Sequence, residues 1–276
     1  MIRAFVVGHP IAHSRSPLIH GHWLAEHGIA GSYERLDVAP EAFAEFLRGL
    51  PTSGFAGGNV TIPHKEAAFA LADDVTERAR AIGAVNTLVV GEGGRVRGDN
   101  TDAPGFCAHL DQSLGPDWPA RGEAVILGAG GAARALVVGL AERGVARIRV
   151  ANRTRERAEA VAALAPGVAE ALAWADLPAA MEGAGLLVNT TSLGMKGQPP
   201  LTLDLAPLPA GAAVADIVYA PLETDLLAAA RRRGLAAVDG LGMLLHQAVP
   251  GFAAWFGTRP AVTAALRETI VADLAR

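Results

Sequence analysis

Glu123-Ala-Val-Ile-Leu-Gly-Ala-Gly-Gly-Ala-Ala133 is the stretch that decides the fold. Glu123–Leu127 is an unbroken apolar strand pattern, the mark of a parallel strand buried on both faces. Gly128-Ala129-Gly130-Gly131-Ala132-Ala133 then matches G-x-G-x-x-G/A. In that pattern the first glycine allows a tight turn and the second lets a pyrophosphate approach the backbone. The third position, here Ala133, must be small for helix–strand packing. An Ala/Leu/Val-rich helical stretch runs on to Arg143. Its free N–H groups and positive dipole end suit phosphates. Strand, glycine turn and helix in this order predict a Rossmann-type dinucleotide site at Gly128, Ala129, Gly130, Gly131 and Ala132.

The segments downstream extend that unit. Arg147–Ala151 reads as the next strand and Thr154–Leu164 as the next helix. Leu186–Asn189, Ala213–Val218 and Ala236–Asp239 are three more short apolar strands. Together they predict a doubly wound parallel sheet. The second strand also indicates which dinucleotide is held. An NAD site carries an acid about 20 residues past the fingerprint, for the ribose hydroxyl. Here the strand ends Asn152-Arg153-Thr154-Arg155-Glu156-Arg157. Asn152 stands where the acid belongs, and Arg153 offers a planar donor fork to a 2′-phosphate. NADP(H) is the expected cofactor. A merely solvated arginine-rich helix start is the weaker reading, since cations are disfavoured at a helix N-terminus.

Upstream, strand-like and helix-like segments also alternate. Arg3–Gly8 and Ser32–Val38 read as strands, Pro17–His27 and Pro40–Arg48 as helices. Gly54–Ile62 is a glycine-broken strand, Glu66–Ala72 and Thr76–Ile82 are helical, and Thr87–Val90 pairs with Arg95–Gly98 as a hairpin. The expected class is α/β: an N-terminal α/β substrate domain over 1–102, then a Rossmann-type NADP-binding domain over 103–240. Residues 241–276 hold two more helical stretches, Met243–Phe256 and one from Pro260. These could stay with the second unit or cross back to the first. The boundary near Thr101–Gly105 puts Asp102 at a seam between domains, where ligand clefts commonly form.

Bulk properties narrow the function classes. The 276 residues are 51% hydrophobic and 19% charged, enough apolar surface for large cores and too much for a disordered chain. A net charge of −4 gives no electrostatic footprint for nucleic acid or an anionic membrane. Arg231-Arg-Arg233 reads as a solvated last helical turn before Gly234. Cys107 is the single cysteine and lies in an apolar helical pattern, so it reads as packing, and a reduced, cytoplasmic setting is expected. The N-terminus is strand-like with no secretory leader, and no apolar run approaches the ~20 residues of a spanning helix. His9, His13, His20, His22 and His64 offer no tetrahedral ligand set, so no metal is expected.

Three polar segments carry the remaining chemistry. Asn59-Val-Thr61-Ile-Pro-His-Lys65 and Gly98-Asp-Asn-Thr-Asp102 each set small hydrogen-bonding side chains beside one ionisable group. Lys65 could be an ordinary helix-start lysine and Asp102 a cap. Taken together beside a nicotinamide site, they are the equipment of a carbonyl/alcohol oxidoreductase acting on a small polar substrate. Ser14-Arg-Ser16-Pro17 precedes a helix, and its hydroxyls could cap it or bind a carboxylate; capping is the ordinary expectation.

These segments, with Gly83-Ala-Val-Asn86-Thr87, Asn189-Thr-Thr-Ser-Leu-Gly-Met195, Asp216-Ile-Val-Tyr219-Ala-Pro221 and Gly240-Leu-Gly-Met-Leu-Leu-His-Gln247-Ala248, occur in an order and spacing that resembles shikimate dehydrogenases over nearly the whole chain. The resemblance implies NADPH-dependent reduction of 3-dehydroshikimate to shikimate, in aromatic amino-acid biosynthesis. It implies Lys65 and Asp102 as the catalytic pair and Ser14 and Ser16 on the substrate carboxylate, with Tyr219 nearby. Thr61, Asn86, Asp102 and Gln247 would contact ring hydroxyls. Glu77, Asn152, Arg153, Thr154, Arg157, Ile217 and Gly240 would join the glycine turn around the cofactor. The resemblance also returns the final helices to the substrate domain, and is compatible with a monomer or homodimer. One departure is local: a common family form reads Asn-Ala-Thr-Pro where this chain has Asn189-Thr190-Thr191-Ser192. The chemistry agrees, because a lysine beside a ketone oxygen stabilises developing charge and can donate a proton. Alternatives are a quinate/shikimate or aminoshikimate-type dehydrogenase, or a non-catalytic NADPH-binding sensor.

Overall fold

Ile2–Gly8, whose last five residues are buried, forms the strand around which the first unit is built (β1). The computed structural model describes residues 1–275. The chain continues through α1 (Ser16–Glu26), β2 (Gly31–Asp37), α2 (Pro40–Gly49), β3 (Gly57–Val60), α3 (Lys65–Leu71), β4 (Asp74–Val75), α4 (Glu77–Ile82), β5 (Thr87–Val90) and β6 (Val96–Asp99). The sheet order is β2-β1-β3-β5-β6-β4. β1 pairs in parallel with β2 and β3, and β5 turns the sheet antiparallel against β3 and β6. Val6 stands opposite Asn59 and Asn59 opposite Thr87, so the register itself gathers polar side chains in the sheet's centre. One face packs on Phe5, Phe43, Leu47, Leu50, Val85 and Leu88.

The glycine-broken stretch 54–62 yields only a four-residue strand, since Gly54 and Gly57 hold positive φ and the cis Ile62–Pro63 bond turns the chain into α3. The two-residue β4 has no sequence pattern of its own and pairs with β6.

The second unit contains α5 (Asp102–Leu114), β7 (Glu123–Leu127), α6 (Gly131–Glu142), β8 (Ile148–Ala151), α7 (Arg155–Ala162), β9 (Ala169–Leu172), α8 (Leu177–Met181), β10 (Ala184–Asn189), β11 (Ala213–Asp216), α9 (Asp225–Arg232) and β12 (Ala236–Val238). All pairings are parallel, in the order β12-β11-β10-β7-β8-β9. Numbered from its own first strand, this is the 3-2-1-4-5-6 order of a doubly wound nucleotide-binding sheet. The order reverses between β7 and β10, so the fold has its crevice beyond the ends of these strands. Ala124–Leu127 are wholly buried, as an apolar run flanked by strands and covered by helices must be. Cys107 is buried in α5, consistent with a packing role.

The compact units are Met1–Thr101 together with the chain from Gln247 onward, and Asp102–His246. α10 (Leu241–Phe256) carries the chain back into the first unit, where α11 (Ala264–Leu274) ends it. Trp255 donates its indole N–H to Leu88 O at 2.8 Å, and Trp23 donates to Ala261 O at 3.0 Å. α10 is shared between the units: its residues up to His246 group with the second, and the chain from Gln247 groups with the first. α11 starts at Ala264 and not at Pro260, because Thr263 supplies the N-cap, accepting from Leu266 N–H at 3.2 Å.

Candidate active site

In the first unit, the sheet's centre holds a connected polar chain. Tyr33 donates to Asn59 Oδ1 at 2.6 Å. Burial pushes the Tyr33 phenol well up, so it stays protonated and donating. Asn59 Nδ2 donates to Asn86 O at 3.1 Å and to Thr87 Oγ1 at 3.2 Å. Asn86 Oδ1 accepts from Thr101 N–H at 2.8 Å and from the Thr87 and Thr101 hydroxyls at 2.9 and 3.1 Å. A backbone N–H can only donate, so Thr101 settles which end of the Asn86 amide is oxygen. The amide N–H2 therefore faces the other way, reaching Gln247 Oε1 at 3.5 Å. Asn86, Thr101 and Gln247 are buried, at 2%, 1% and 8% exposure. Three short segments distant in sequence thus meet at one rigid cluster of donors and acceptors.

Beside it, Thr61 follows β3 directly, its N–H bonded to Val7 O at 2.9 Å. Lys65 is the first residue of α3 and half-buried, and its carbonyl accepts from Val85 N–H at 2.9 Å. The helix is seated by His64, which stacks on Phe43 at 4.3 Å and bonds Val38 O at 2.7 Å. Ser14 Oγ accepts from the Ser16 N–H at 3.3 Å, and Arg35 clamps Ser14 O at 2.6 and 3.0 Å. Ser14 Oγ takes one N–H at the start of α1, but neither serine stands at its cap position. The cap position of α1 is Arg15, which makes no side-chain cap bond, and the Ser16 hydroxyl meets Tyr33. Glu77 sits on the exposed first turn of α4.

The second unit supplies Asp102, the buried first residue of α5. It also holds a cavity of about 550 Å³ lined by Gly128, Ala129, Gly130, Asn152, Arg153, Arg157, Trp174, Thr190, Thr191, Ser192 and Leu193. Gly128 has φ +106°, and a Cβ there would stand 2.7 Å from Thr190 Oγ1, so only glycine fits. Around Gly130 and Gly131 a Cβ would meet no atom within 4 Å, which leaves the start of α6 open. Gly130 caps that helix with no side-chain bond, so its first N–H groups face this space. Two arginines and no carboxylate line the cavity. This donor set fits an anionic dinucleotide with an extra phosphate. Asn152 Nδ2 is tied to Thr154 O at 2.9 Å, and Thr154 is the N-cap residue of α7. Gly131 and Ala132 form the first turn of α6.

Beyond β10 and β11, Asn189 and Asp216 stand opposite each other in register. Asn189 Nδ2 donates to Asp216 Oδ1 at 2.9 Å and to Leu193 O at 3.2 Å, while its Oδ1 accepts from Thr191 N–H and hydroxyl. Asp216 also accepts from Val218 N–H at 3.0 Å and Thr224 hydroxyl at 2.8 Å. Burial raises the Asp216 carboxyl, with its donors opposing the shift. This pair shapes the 190–193 wall of the cavity and the loop carrying Ile217 and Tyr219. Gly240 packs on that loop, where a Cβ would lie 2.2 Å from Ile217 O.

Comparison with known proteins identifies these two units. Residues 6–88 match the sequence model described as shikimate dehydrogenase substrate binding domain, and residues 117–195 match shikimate / quinate 5-dehydrogenase. The shikimate dehydrogenase (NADP(+)) of Methylobacterium radiotolerans is 82% identical over 275 residues, covering 99% of this chain and 98% of that protein. The chain belongs to the shikimate dehydrogenase family. Among solved shikimate dehydrogenases, the Thermus thermophilus enzyme in complex with NADP(H) and shikimate superposes with a TM-score of 0.87 at 39% identity, covering 99% of this chain and 100% of that one. A quinate dehydrogenase from Corynebacterium glutamicum in complex with NAD reaches 0.90 at 32% identity, covering 98% and 99%.

Sequence reasoning had quoted the Asn189–Ser192 loop without giving it a role, and had passed over Trp174 and Asn59's bonding. For the loop, a signal existed: it follows the strand next to β7, at the reversal of strand order. For Trp174 there was none, because β9 itself is Ala-Glu-Ala-Leu, half-exposed and without a strand-like pattern.

Proposed function

We propose that this chain catalyses the reversible NADP-dependent reduction of 3-dehydroshikimate to shikimate, with the following division of labour among its residues. The observation that carries the cofactor choice is the cavity beside Gly128–Gly130, lined by Arg153 and Arg157 and by no carboxylate. NADPH, when bound, supplies the hydride. Gly128, Ala129, Gly130, Gly131 and Ala132 receive the pyrophosphate on backbone N–H groups. Asn152, Arg153, Thr154 and Arg157 take the 2′-phosphate end, and Glu77, Ile217 and Gly240 border the rest.

Ser14 and Ser16 hold the substrate carboxylate with help from Tyr219, while Thr61, Asn86 and Gln247 hold ring hydroxyls. Asn86 does so through its amide N–H2, the end turned away from Thr101 and toward Gln247. Lys65 places its ammonium at the ketone oxygen, offsets the charge that develops there and gives up a proton to it. In the reverse direction the lysine accepts that proton. Asp102 is the second member of the catalytic pair and accepts from a substrate hydroxyl.

No helix among the described residues is long and apolar enough to cross a membrane; a cytoplasmic monomer or homodimer completes the proposal. Quinate deserves a parallel assay, because one matching family model is shared with quinate enzymes. Reduction of NADP+ and NAD+ is followed by absorbance with shikimate and quinate as paired substrates. Shikimate with NADP+ is expected to have the highest kcat/KM. Faster turnover of quinate with NAD+ overturns the reading.

A further inference from the structure

The four tryptophans of this chain are not alike. Trp23, Trp118 and Trp255 are buried, at 0%, 3% and 4% exposure, and each donates its indole N–H to an oxygen. Trp174 is 40% exposed. Among the described residues its ring has neither an aromatic nor a cationic partner, and its N–H has no acceptor. A single exposed aromatic is ordinary on a protein surface. This one is different in its place: it lines the cavity that also holds Arg153 and Arg157.

Topology says which part of a dinucleotide would lie there. The glycine turn after β7 is the pyrophosphate end. In a doubly wound sheet, the end of the next strand meets the adenosine ribose. That strand is β8, ending at Ala151 before Asn152 and Arg153. Trp174 follows the end of β9, and β9 is the neighbour of β8 on the side away from β7 and β10. The aromatic face therefore stands one strand beyond the ribose position, on the adenine half of the crevice and away from the nicotinamide half. Purines stack on exposed indoles because both are flat, polarisable and poorly hydrated on their faces, and the base gains whatever its identity.

We infer that Trp174 is the stacking platform for the adenine ring of the bound cofactor, with Arg153 and Arg157 holding the adjoining 2′-phosphate. This rests on the NADP reading of the cavity. It adds a residue whose contribution is to binding alone, since nothing near β9 approaches the reacting carbon in a sheet of this order.

Adenosine 2′,5′-bisphosphate is the probe, because it carries the base, ribose and 2′-phosphate without nicotinamide. It is titrated into the full-length wild type, Trp174→Ala and Trp174→Phe, with calorimetry giving affinity and tryptophan fluorescence the local readout. Wild type should bind with quenching. Trp174→Ala should bind about 5- to 150-fold more weakly, the span of base–aromatic stacking, and Trp174→Phe should recover most of the affinity. Quenching should vanish in both variants, since the remaining three indoles are buried. In NADP+ assays, Trp174→Ala should raise KM for the cofactor and leave kcat unchanged. Undiminished bisphosphate affinity in Trp174→Ala overturns the stacking assignment. Failure of wild type to bind the bisphosphate at all overturns the NADP reading of the cavity instead.

Discussion

At the scale of single residues, the two halves of the reaction separate cleanly into binding and chemistry. Lys65→Ala should lower kcat by about 10²- to 10⁴-fold, the usual contribution of a positioned acid–base group. On the proposed assignment, shikimate affinity measured by calorimetry should change far less, because Ser14, Ser16, Asn86 and Gln247 would still hold the ground state. Lys65→Arg should restore little, as a guanidinium keeps its charge but hardly gives up a proton. Near-normal turnover at saturating shikimate in Lys65→Ala would remove the lysine from the chemistry. On the cofactor side, Arg153→Ala should raise the KM for NADP+ by roughly 10- to 100-fold, the equivalent of one charge-assisted hydrogen bond. The KM for NAD+ should barely move. Equal losses for both cofactors would mean that Arg153 does not read the 2′-phosphate. Lys65, Asp102 and Arg153 stood out in the sequence because each breaks its local pattern: an ion among small polar residues, or an arginine where an acid is due. Thr87 and Asn59 did not, since a threonine or asparagine in a strand looks the same whether it faces solvent or orients a neighbour's amide.

At the scale of elements, the cofactor wall depends on a bond network that spans two strand ends. Asn189 uses both halves of its amide: Oδ1 accepts from the Thr191 N–H and hydroxyl, and Nδ2 donates to Leu193 O and to Asp216 Oδ1. Asn189→Ala takes the acceptor from the Thr191 N–H and hydroxyl and the donor from Leu193 O, and it leaves Asp216 Oδ1 with only the Val218 N–H. It should cost about 1–3 kcal/mol of unfolding free energy in a denaturant melt. The same variant should weaken NADP+ binding, because Thr190, Thr191 and Leu193 lose their fixed course, while Arg153→Ala should leave the melt unchanged. A variant that melts like wild type would show the network to be redundant. Element boundaries were legible where the residues themselves punctuate the chain, as at Gly128 and Pro40. They were not legible where pairing partners decide. β4 and β9 are strands because β6 and β8 present unpaired edges to them, and neither Asp74-Val75 nor Ala169–Leu172 declares that alone. α11 starts at Ala264 and not at Pro260, because the threonine cap three residues on prevails.

At the scale of the whole molecule, buried His20 and half-buried His246 both contribute to the response to acid. Burial, opposed by the nearby Asn59, holds His20 neutral down to about pH 3, with its ring stacked on Tyr33 at 3.9 Å. Burial and the neighbouring His109 bring His246 down to about 4. In the unfolded chain both protonate near 6.5, so between that value and the folded ones the unfolded state binds more protons and stability falls as pH falls. His20 contributes up to about 1.4 kcal/mol per pH unit across its window, and the partly exposed His246 contributes less, because solvent screens it. Asp216, with its raised carboxyl, acts in the opposite sense. The Tm is expected to be lower at pH 5 than at pH 7.5, and His20→Phe should flatten that slope; an equally steep slope in the variant would assign the acid sensitivity elsewhere. The order of the chain has its own consequence. The nucleotide-binding unit is one uninterrupted segment, whereas the first unit is begun by Met1 and finished only by residues after Gln247. On a ribosome, the second unit is complete before the first. Until the last segment emerges, Trp23 lacks the Ala261 carbonyl and Leu88 the indole of Trp255, and the aromatic cluster around His20 waits for Phe252. A nascent chain stopped at residue 246 should therefore carry a protease-resistant nucleotide-binding segment behind a protease-sensitive N-terminal one, and limited proteolysis of that truncated chain would read the order directly.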